Sequence, residues 1–115
     1  MAKITGDIGK ENTNQPGFYK KVFQVVAGIP RGKITTYGAV AKACACPKGA
    51  RAVGNALKNN RDTQKVPCHR VVKNNFELGG YAGGQEKKKK LLIDEGITIK
   101  GKYVQNPSEV FFDPE

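Results

Sequence analysis

Acid is scarce in this chain: 10 Asp and Glu stand against 20 Lys and Arg, a formal net charge of +10 over 115 residues. So basic a surface points to a polyanionic partner, with a generally solubilising surface as the plainer alternative. Long apolar runs are missing as well. No stretch approaches the roughly 20 residues that span a bilayer, and residues 1–15 lack the apolar segment of a secretory signal. No membrane partner is expected, and the location expected is the cytoplasm, or the nucleus in a eukaryote. Cysteine is sparse and odd in number: Cys44, Cys46 and Cys68. Without an export signal, that set argues against a disulfide framework and for a free thiol. The length leaves no room for two separate cores, while 38% hydrophobic residues suffice for one small core.

The pattern along the chain fills in the elements. Residues 1–15 show no apolar period and read as a mobile tail, with one domain over residues 16–115. From Pro16, the apolar residues Phe18, Val22, Val25, Val26 and Ile29 recur at helical steps. Asn14 is a candidate cap, and Gly28 and Pro30 end this helix. Thr35 and Thr36 offer cap hydroxyls to a second helix from Tyr37 to Ala45, closed by Pro47. A third fits residues 49–59, with Ala50, Val53, Ala56 and Leu57 as its apolar stripe. Extended structure is expected over residues 66–72, then a turn at 73–75 and a Gly-rich loop at 79–84. Residues 86–95 read as a last helix with Leu91, Leu92 and Ile93 facing inward and Gly96 as its left-handed cap. Residues 97–104 alternate like a short strand. The fold class that results is mainly α with a small β component, a winged-helix-like helix-turn-helix domain.

The chemistry concentrates at Pro67-Cys68-His69-Arg70-Val71, which sets a thiol beside the sole imidazole of the chain. A thiol is a weak nucleophile until deprotonated, and a neighbouring base or cation promotes the thiolate; His69 and Arg70 supply one of each. On a strand, adjacent side chains point to opposite faces, so communication between Cys68 and His69 needs a bridging water or a turn. Taken alone, such a pair is far more often a buried structural cysteine beside a satisfied core histidine.

The motif closely resembles the active-site signature of the O6-alkylguanine-DNA alkyltransferases, the methylated-DNA–protein-cysteine methyltransferases. Four more segments agree with that family in order and spacing. They are Ile29-Pro30-Arg31-Gly32-Lys33 with Thr36-Tyr37-Gly38; Ala50-Arg51-Ala52-Val53-Gly54 with Asn59-Asn60; Leu78-Gly79-Gly80-Tyr81-Ala82-Gly83-Gly84; and Leu91-Leu92-Ile93-Asp94-Glu95-Gly96.

The resemblance implies stoichiometric, irreversible transfer of an alkyl group from O6 of guanine in double-stranded DNA onto Cys68, after the nucleotide is flipped out of the stack. It implies that His69 takes the thiol proton through water, that Glu95 orients the imidazole, and that Tyr37 donates a proton toward the departing base. Asn60 is implied to tie the helix-turn-helix to the active-site turn. Tyr37, Cys68, Val71, Tyr81 and Ala82 are implied to line the substrate pocket, with Ala82 standing where some relatives have serine. For DNA, the resemblance implies minor-groove entry of the third helix. Arg51 is implied as the finger that replaces the flipped nucleotide, Ala50 and Gly54 as close-approach positions, and Lys58 as a phosphate contact, with Tyr37 at the edge. A monomer is expected, with no cofactor and no metal. Longer members carry a further N-terminal domain that these 115 residues do not have the length to hold.

Three alternatives frame the reading. Cys44-x-Cys46 near Cys68 and His69 would suit a metal, though the spacing is unusual for a zinc site. The alkyltransferase-like proteins bind the same lesions without the nucleophile and act as damage sensors; Cys68 argues against that class. A plain helix-turn-helix regulator reads bases in the major groove and has no use for Pro67-Cys68-His69-Arg70.

Overall fold

The computed structural model describes residues 16–81 and 83–115. The expected tail, the Asn14 cap and Ala82 lie outside the described residues. Helix α1, Pro16–Ala27, buries Phe18, Val22 and Val26 on one face, and Ile29 follows just beyond it. It closes as Gly28 N and Ile29 N donate back to the Val25 and Val26 carbonyls, ahead of Pro30, which has no N–H to continue the ladder.

Strand β1, Thr35–Thr36, runs straight into helix α2, Tyr37–Ala43. Thr36 is the cap, its hydroxyl accepting from Ala39 N at 3.1 Å, whereas Thr35 lies fully buried in the strand. Helix α2 stops two residues sooner than the spacing predicts because Ala45 takes φ 61°, a left-handed conformation that interrupts a right-handed helix. After the turn at residues 44–49 comes helix α3, Ala50–Lys58. The three helices pack on one another and enclose a first core built around Val22, Val26, Val40, Val53, Ala56 and Leu57.

Only the last part of residues 66–72 is extended. Cys68–Arg70 form a 3₁₀ turn, followed by strand β2, Val71–Val72. Strand β2 pairs in parallel with β1, Thr35 opposite Val71 and Thr36 opposite Val72. Alternation along β2 sends Val71 into the helical core and Val72 into a second core with Ile34, Leu78, Leu92, Ile97 and Val104. The buried residues thus fall into two clusters where the length suggested one core, with this two-residue ladder as their partition and the Cys68 turn at its end.

Helix α4, Gln85–Asp94, ends on Gly96 at φ 93°, where Gly96 N and Ile97 N donate to the Ile93 and Leu92 carbonyls in the left-handed cap that its sequence predicts. Its inward face departs from expectation. Ile93 is 49% exposed, while Lys88, one turn before Leu92, is 0% exposed. The alternation over residues 97–104 likewise resolves into a tight hairpin, β3 Ile99–Lys100 and β4 Tyr103–Val104, because Gly101 at φ 63° reverses the chain. A short helix α5, Pro107–Val110, had no apolar period to announce it. The architecture is mainly helical with a small sheet component, and α2, turn and α3 make the helix-turn-helix.

Candidate active site

Cys68 is 6% exposed, yet its turn opens on a pocket of about 370 Å³ lined by Tyr37, Gly54, Leu57, Lys58, Cys68, Gly80 and Tyr81. That volume falls at the small end of the roughly 300–1,000 Å³ of small-molecule sites. Tyr37, Gly54 and Lys58 also line a wider outer cleft with Ala50, Arg51, Asn55 and residues 73–75. The cleft and the pocket therefore share one wall, made by the start of α2 and the face of α3. Arg51 and Lys58 are exposed on that face.

The 3₁₀ turn, rather than a strand, sets the direction of His69. Its ring is buried and its Nε2 lies 2.8 Å from Glu95 Oε2. A carboxylate can only accept, so Nε2 carries the proton and Nδ1 is left with a lone pair. Nδ1 is buried and has no hydrogen-bond partner among the described residues. Burial pushes the imidazole below its ordinary value of 6.5, Arg70 and Lys88 act in the same direction, and Glu95 opposes them. His69 is thus held toward its neutral form, with the Nδ1 lone pair turned away from Glu95.

Glu95 is the hub behind it. Burial alone would raise its carboxyl, but hydrogen bonds from Arg70, His69 and Gly32 N together hold it down at about 2. Arg70 grips it with Nε to Oε1 at 2.8 Å and Nη2 to Oε2 at 2.7 Å, a bidentate fork. Arg70 Nη1 also donates to the Ile29 carbonyl. The Arg70 charge is therefore committed to Glu95, away from the thiol that the sequence pairs it with. The Ile29-to-Lys33 segment gains a reason here, since Gly32 N reaches Glu95 Oε1 at 3.4 Å and Arg31 Nη2 reaches the Asp94 carbonyl. Gly32 makes this approach at φ 85°, a backbone conformation that favours glycine.

The remaining residues converge from several elements. Tyr37 is half-buried at the first turn of α2, and burial, then Cys68, raise its phenol above 10.0. Asn60 follows α3 and donates through Nδ2 to the Val66 carbonyl at 2.8 Å, while Asp62 N donates to its Oδ1. These bonds tie the end of α3 to the segment entering the Cys68 turn. Tyr81 meets His69 edge-on, ring centroids 6.5 Å apart, and its phenol is raised by burial and by Cys68. The Val71 side chain is fully buried in the helical core, and Val71 is not among the residues lining the pocket. Cys44 and Cys46 lie at the far end of α2, and among the described residues no group of three or more His, Cys, Asp or Glu gathers as for a metal.

Two participants escape sequence reasoning. Lys88 reads as one of four solvated lysines but is buried beneath the pocket, and only its spacing of four from Leu92 could have revealed it. Asn74 accepts from Gly38 N at 2.9 Å and so fastens the 73–75 turn to the start of α2.

Comparison with known proteins follows this geometry closely. Residues 17–97 match the family model of the 6-O-methylguanine DNA methyltransferase, DNA binding domain. A methylated-DNA–protein-cysteine methyltransferase of Salmonella typhimurium is 44% identical over 71% of this chain and 48% of its own length. The chain spans about half the length of the methyltransferase relatives it matches. Among solved structures, Schizosaccharomyces pombe Atl1, an alkyltransferase-like protein bound to damaged DNA containing O6-carboxymethylguanine, superposes with a TM-score of 0.77. Its identity is 34%, covering 85% of this chain and 96% of that one. The Mycobacterium tuberculosis OGT complex with DNA gives 0.68 and 38%, covering 70% and 50%. With the family model spanning both the helix-turn-helix and the Cys68-to-Glu95 constellation, the chain belongs to the 6-O-methylguanine DNA methyltransferase family through its DNA-binding domain.

Proposed function

We propose that this chain repairs alkylated DNA by moving the alkyl group from O6 of a flipped guanine onto Cys68. The observation that carries the reading is the pocket itself: Cys68 and Tyr37 face one small cavity whose wall continues into the cleft of Arg51. The duplex lies along α3, Ala50 and Gly54 allow its close approach, and Lys58 meets phosphate. Arg51 fills the gap left by the extruded nucleotide, as a planar cation can. A methyl at Gly54 would only graze Tyr37, at 4.0 Å. Internal packing does not demand glycine at that position, which supports a demand from outside the protein.

In the pocket, the thiol proton of Cys68 passes by way of water to Nδ1 of His69, whose imidazolium is steadied by Glu95. The thiolate attacks the alkyl carbon, the carbon–oxygen bond breaks, and guanine leaves with the electron pair. The Tyr37 hydroxyl delivers a proton to the departing base. Tyr81 and Gly80 border the alkyl group. The thioether product has no easy hydrolytic exit, so each molecule acts once.

Intact-protein mass after incubation with an O6-methylguanine duplex tests this directly. One added methylene on Cys68 is expected, and an unmodified protein in the presence of bound lesion would overturn it. That second outcome belongs to the other reading, a lesion-binding sensor, which the extensive match to Atl1 favours. Cys68 above the pocket favours transfer.

A further inference from the structure

The match to the family ends at residue 97, and the proposed reaction leaves the hairpin beyond it without a task. Strand β4 is bonded on both sides. Besides its pairing with β3, Tyr103 bridges Glu77 in antiparallel fashion, Leu78 N donates to the Lys102 carbonyl at 2.8 Å, and Val104 N donates to the Phe76 carbonyl at 2.9 Å. The hairpin is thereby joined to residues 76–78, which follow directly on the 73–75 turn of the outer cleft. That turn is closed as Phe76 N donates to the Lys73 carbonyl at 2.7 Å. Phe76 takes φ 68°, a left-handed conformation costly for a bulky side chain, and its ring stands edge-on to Phe111 with centroids 6.3 Å apart. Turn and hairpin thus share one geometry, held by packing against local strain.

Residues directly opposite across antiparallel strands share a face. Leu78 and Val104 enter the second core, so the row of Lys100, Tyr103 and Glu77 stands on the outside. Lys100 is exposed, and so is Tyr103, at 43%. Glu77 also holds two side chains from either side of the seam, with Oε1 3.7 Å from Lys73 Nζ and Oε2 3.1 Å from Lys102 Nζ. Both lysines remain more than half exposed, while the carboxylate between them is mostly covered. Lys73 in turn lines the cleft that contains Arg51 and Lys58. A series of cations therefore leads from α3 across the 73–75 turn onto the hairpin, and Lys73, Lys100 and Lys102 outnumber the Glu77 carboxylate among them.

We propose that this outer face of the hairpin is a second DNA-contact surface, on which Lys100, Lys102 and Tyr103 meet phosphates of the duplex flanking the lesion. The inference rests on the reading that the duplex lies along α3, and it extends the footprint past the residues that match the family. Phosphate is the ligand that fits. Ammoniums on flexible stems and a phenol hydroxyl bond phosphate oxygens without reading bases, and continuity with the Arg51 cleft calls for the same polyanion on both. Glu77 keeps Lys73 and Lys102 on this face while DNA is absent, so less side-chain freedom is lost when phosphates arrive. Such contacts add affinity and fix the register of the lesion over the pocket; they take no part in the transfer itself.

Fluorescence anisotropy with a long duplex centred on O6-methylguanine, repeated over a range of salt, tests the surface. Lys100→Gln and Lys102→Gln are each expected to weaken binding about fivefold and to lower the slope of log affinity against log salt by about 0.9, the release of one counterion. Lys102→Arg should restore both. Lys21→Gln, the same charge change on the exposed side of α1, should alter neither. An equal loss in Lys21→Gln would reduce the effect to net charge and overturn the proposal, as would unchanged slopes in the hairpin variants. Shortening the duplex on one side of the lesion and then on the other locates the contact. The Lys102→Gln deficit should vanish with one shortened duplex and persist with the other, and persistence with both overturns a flanking contact. Single-turnover transfer at saturating lesion duplex should keep the wild-type rate in these variants, and a slower rate would contradict a surface that serves binding alone. Wild-type protein that binds no duplex would overturn the DNA reading itself, whereas tight wild-type binding matched by the Lys100→Gln, Lys102→Gln double variant overturns this surface only.

Discussion

The turn that holds Cys68 and the one that holds Cys44 and Cys46 border the same helical core, and the three thiols are almost equally covered, at 6%, 5% and 3% exposure. Burial does not separate them; their surroundings do. Cys44 caps the end of α2, where burial pushes its thiol up, with Cys46 adding to the rise and Lys21 only partly offsetting it. Cys68 opens on a pocket, next to a neutral imidazole and above a buried ammonium. Of the three, Cys68 is the one that lines the pocket, beside the imidazole of its own 3₁₀ turn and near the ammonium that α4 supplies.

The comparison is broken most completely by swapping which cysteine is removed. Cys68→Ala is expected to abolish transfer by intact mass and to leave binding of lesion DNA nearly unchanged. Cys44→Ala should transfer at the wild-type rate while losing about 1–2 kcal/mol of stability in urea. Transfer surviving in the first variant, or vanishing in a folded second, would reverse the assignment. Next in size is the support behind His69. Glu95→Gln removes the carboxylate that fixes the tautomer and should slow single-turnover transfer about a hundredfold, the contribution of a well-placed general base, with lesion affinity retained. Its pH dependence has a definite sign. Burial depresses the imidazole, so wild-type transfer should persist below pH 6.5, the ordinary histidine value, and fall only as His69 gains a proton. A decline beginning above pH 6.5 would contradict the neutral, buried base.

How legible this was differs by residue, for physical reasons. Cys68 and His69 announce themselves because rare reactive side chains sit side by side in a local motif, whereas Tyr37 was singled out by the family resemblance alone. Glu95 lies 26 residues from His69, a separation that no local pattern spans; only the family resemblance singled it out. The helices α1 to α3 follow from apolar period and breakers, and the two halves of the helix-turn-helix are local structures. The 3₁₀ turn was hidden, because Val66, Val71 and Val72 give residues 66–72 the look of a strand, and pairing with β1 holds only Val71 and Val72 extended. Lys88 and Ile93 exchanged places for one reason. Helix α4 docks through a stripe set by Leu92, and four residues before it stands a lysine whose charge two carbonyls and a ring can accommodate.

Smaller effects sharpen the contrast between the pocket and the DNA face. Arg51→Ala leaves the Cys68 surroundings untouched, so iodoacetamide reactivity should be unchanged while affinity for lesion duplex falls about tenfold, the worth of one stacking contact. Loss of both together would show that the cleft and the pocket are not separable.

Gly54 gives the finest test because stability and function should move in opposite directions. It lies mid-helix in α3, where glycine costs about 0.5–1 kcal/mol relative to alanine. Its nearest would-be neighbour is Tyr37 Cε1 at 4.0 Å, ordinary contact. Gly54→Ala should therefore raise the melting temperature, since nothing inside the protein objects to a methyl group. The same methyl stands on the wall shared by the cleft and the pocket and would hold a duplex off the helix, so binding of undamaged and lesion DNA should weaken by a similar, modest factor. A variant both more stable and equally tight in binding would mean that DNA does not approach α3 at this position.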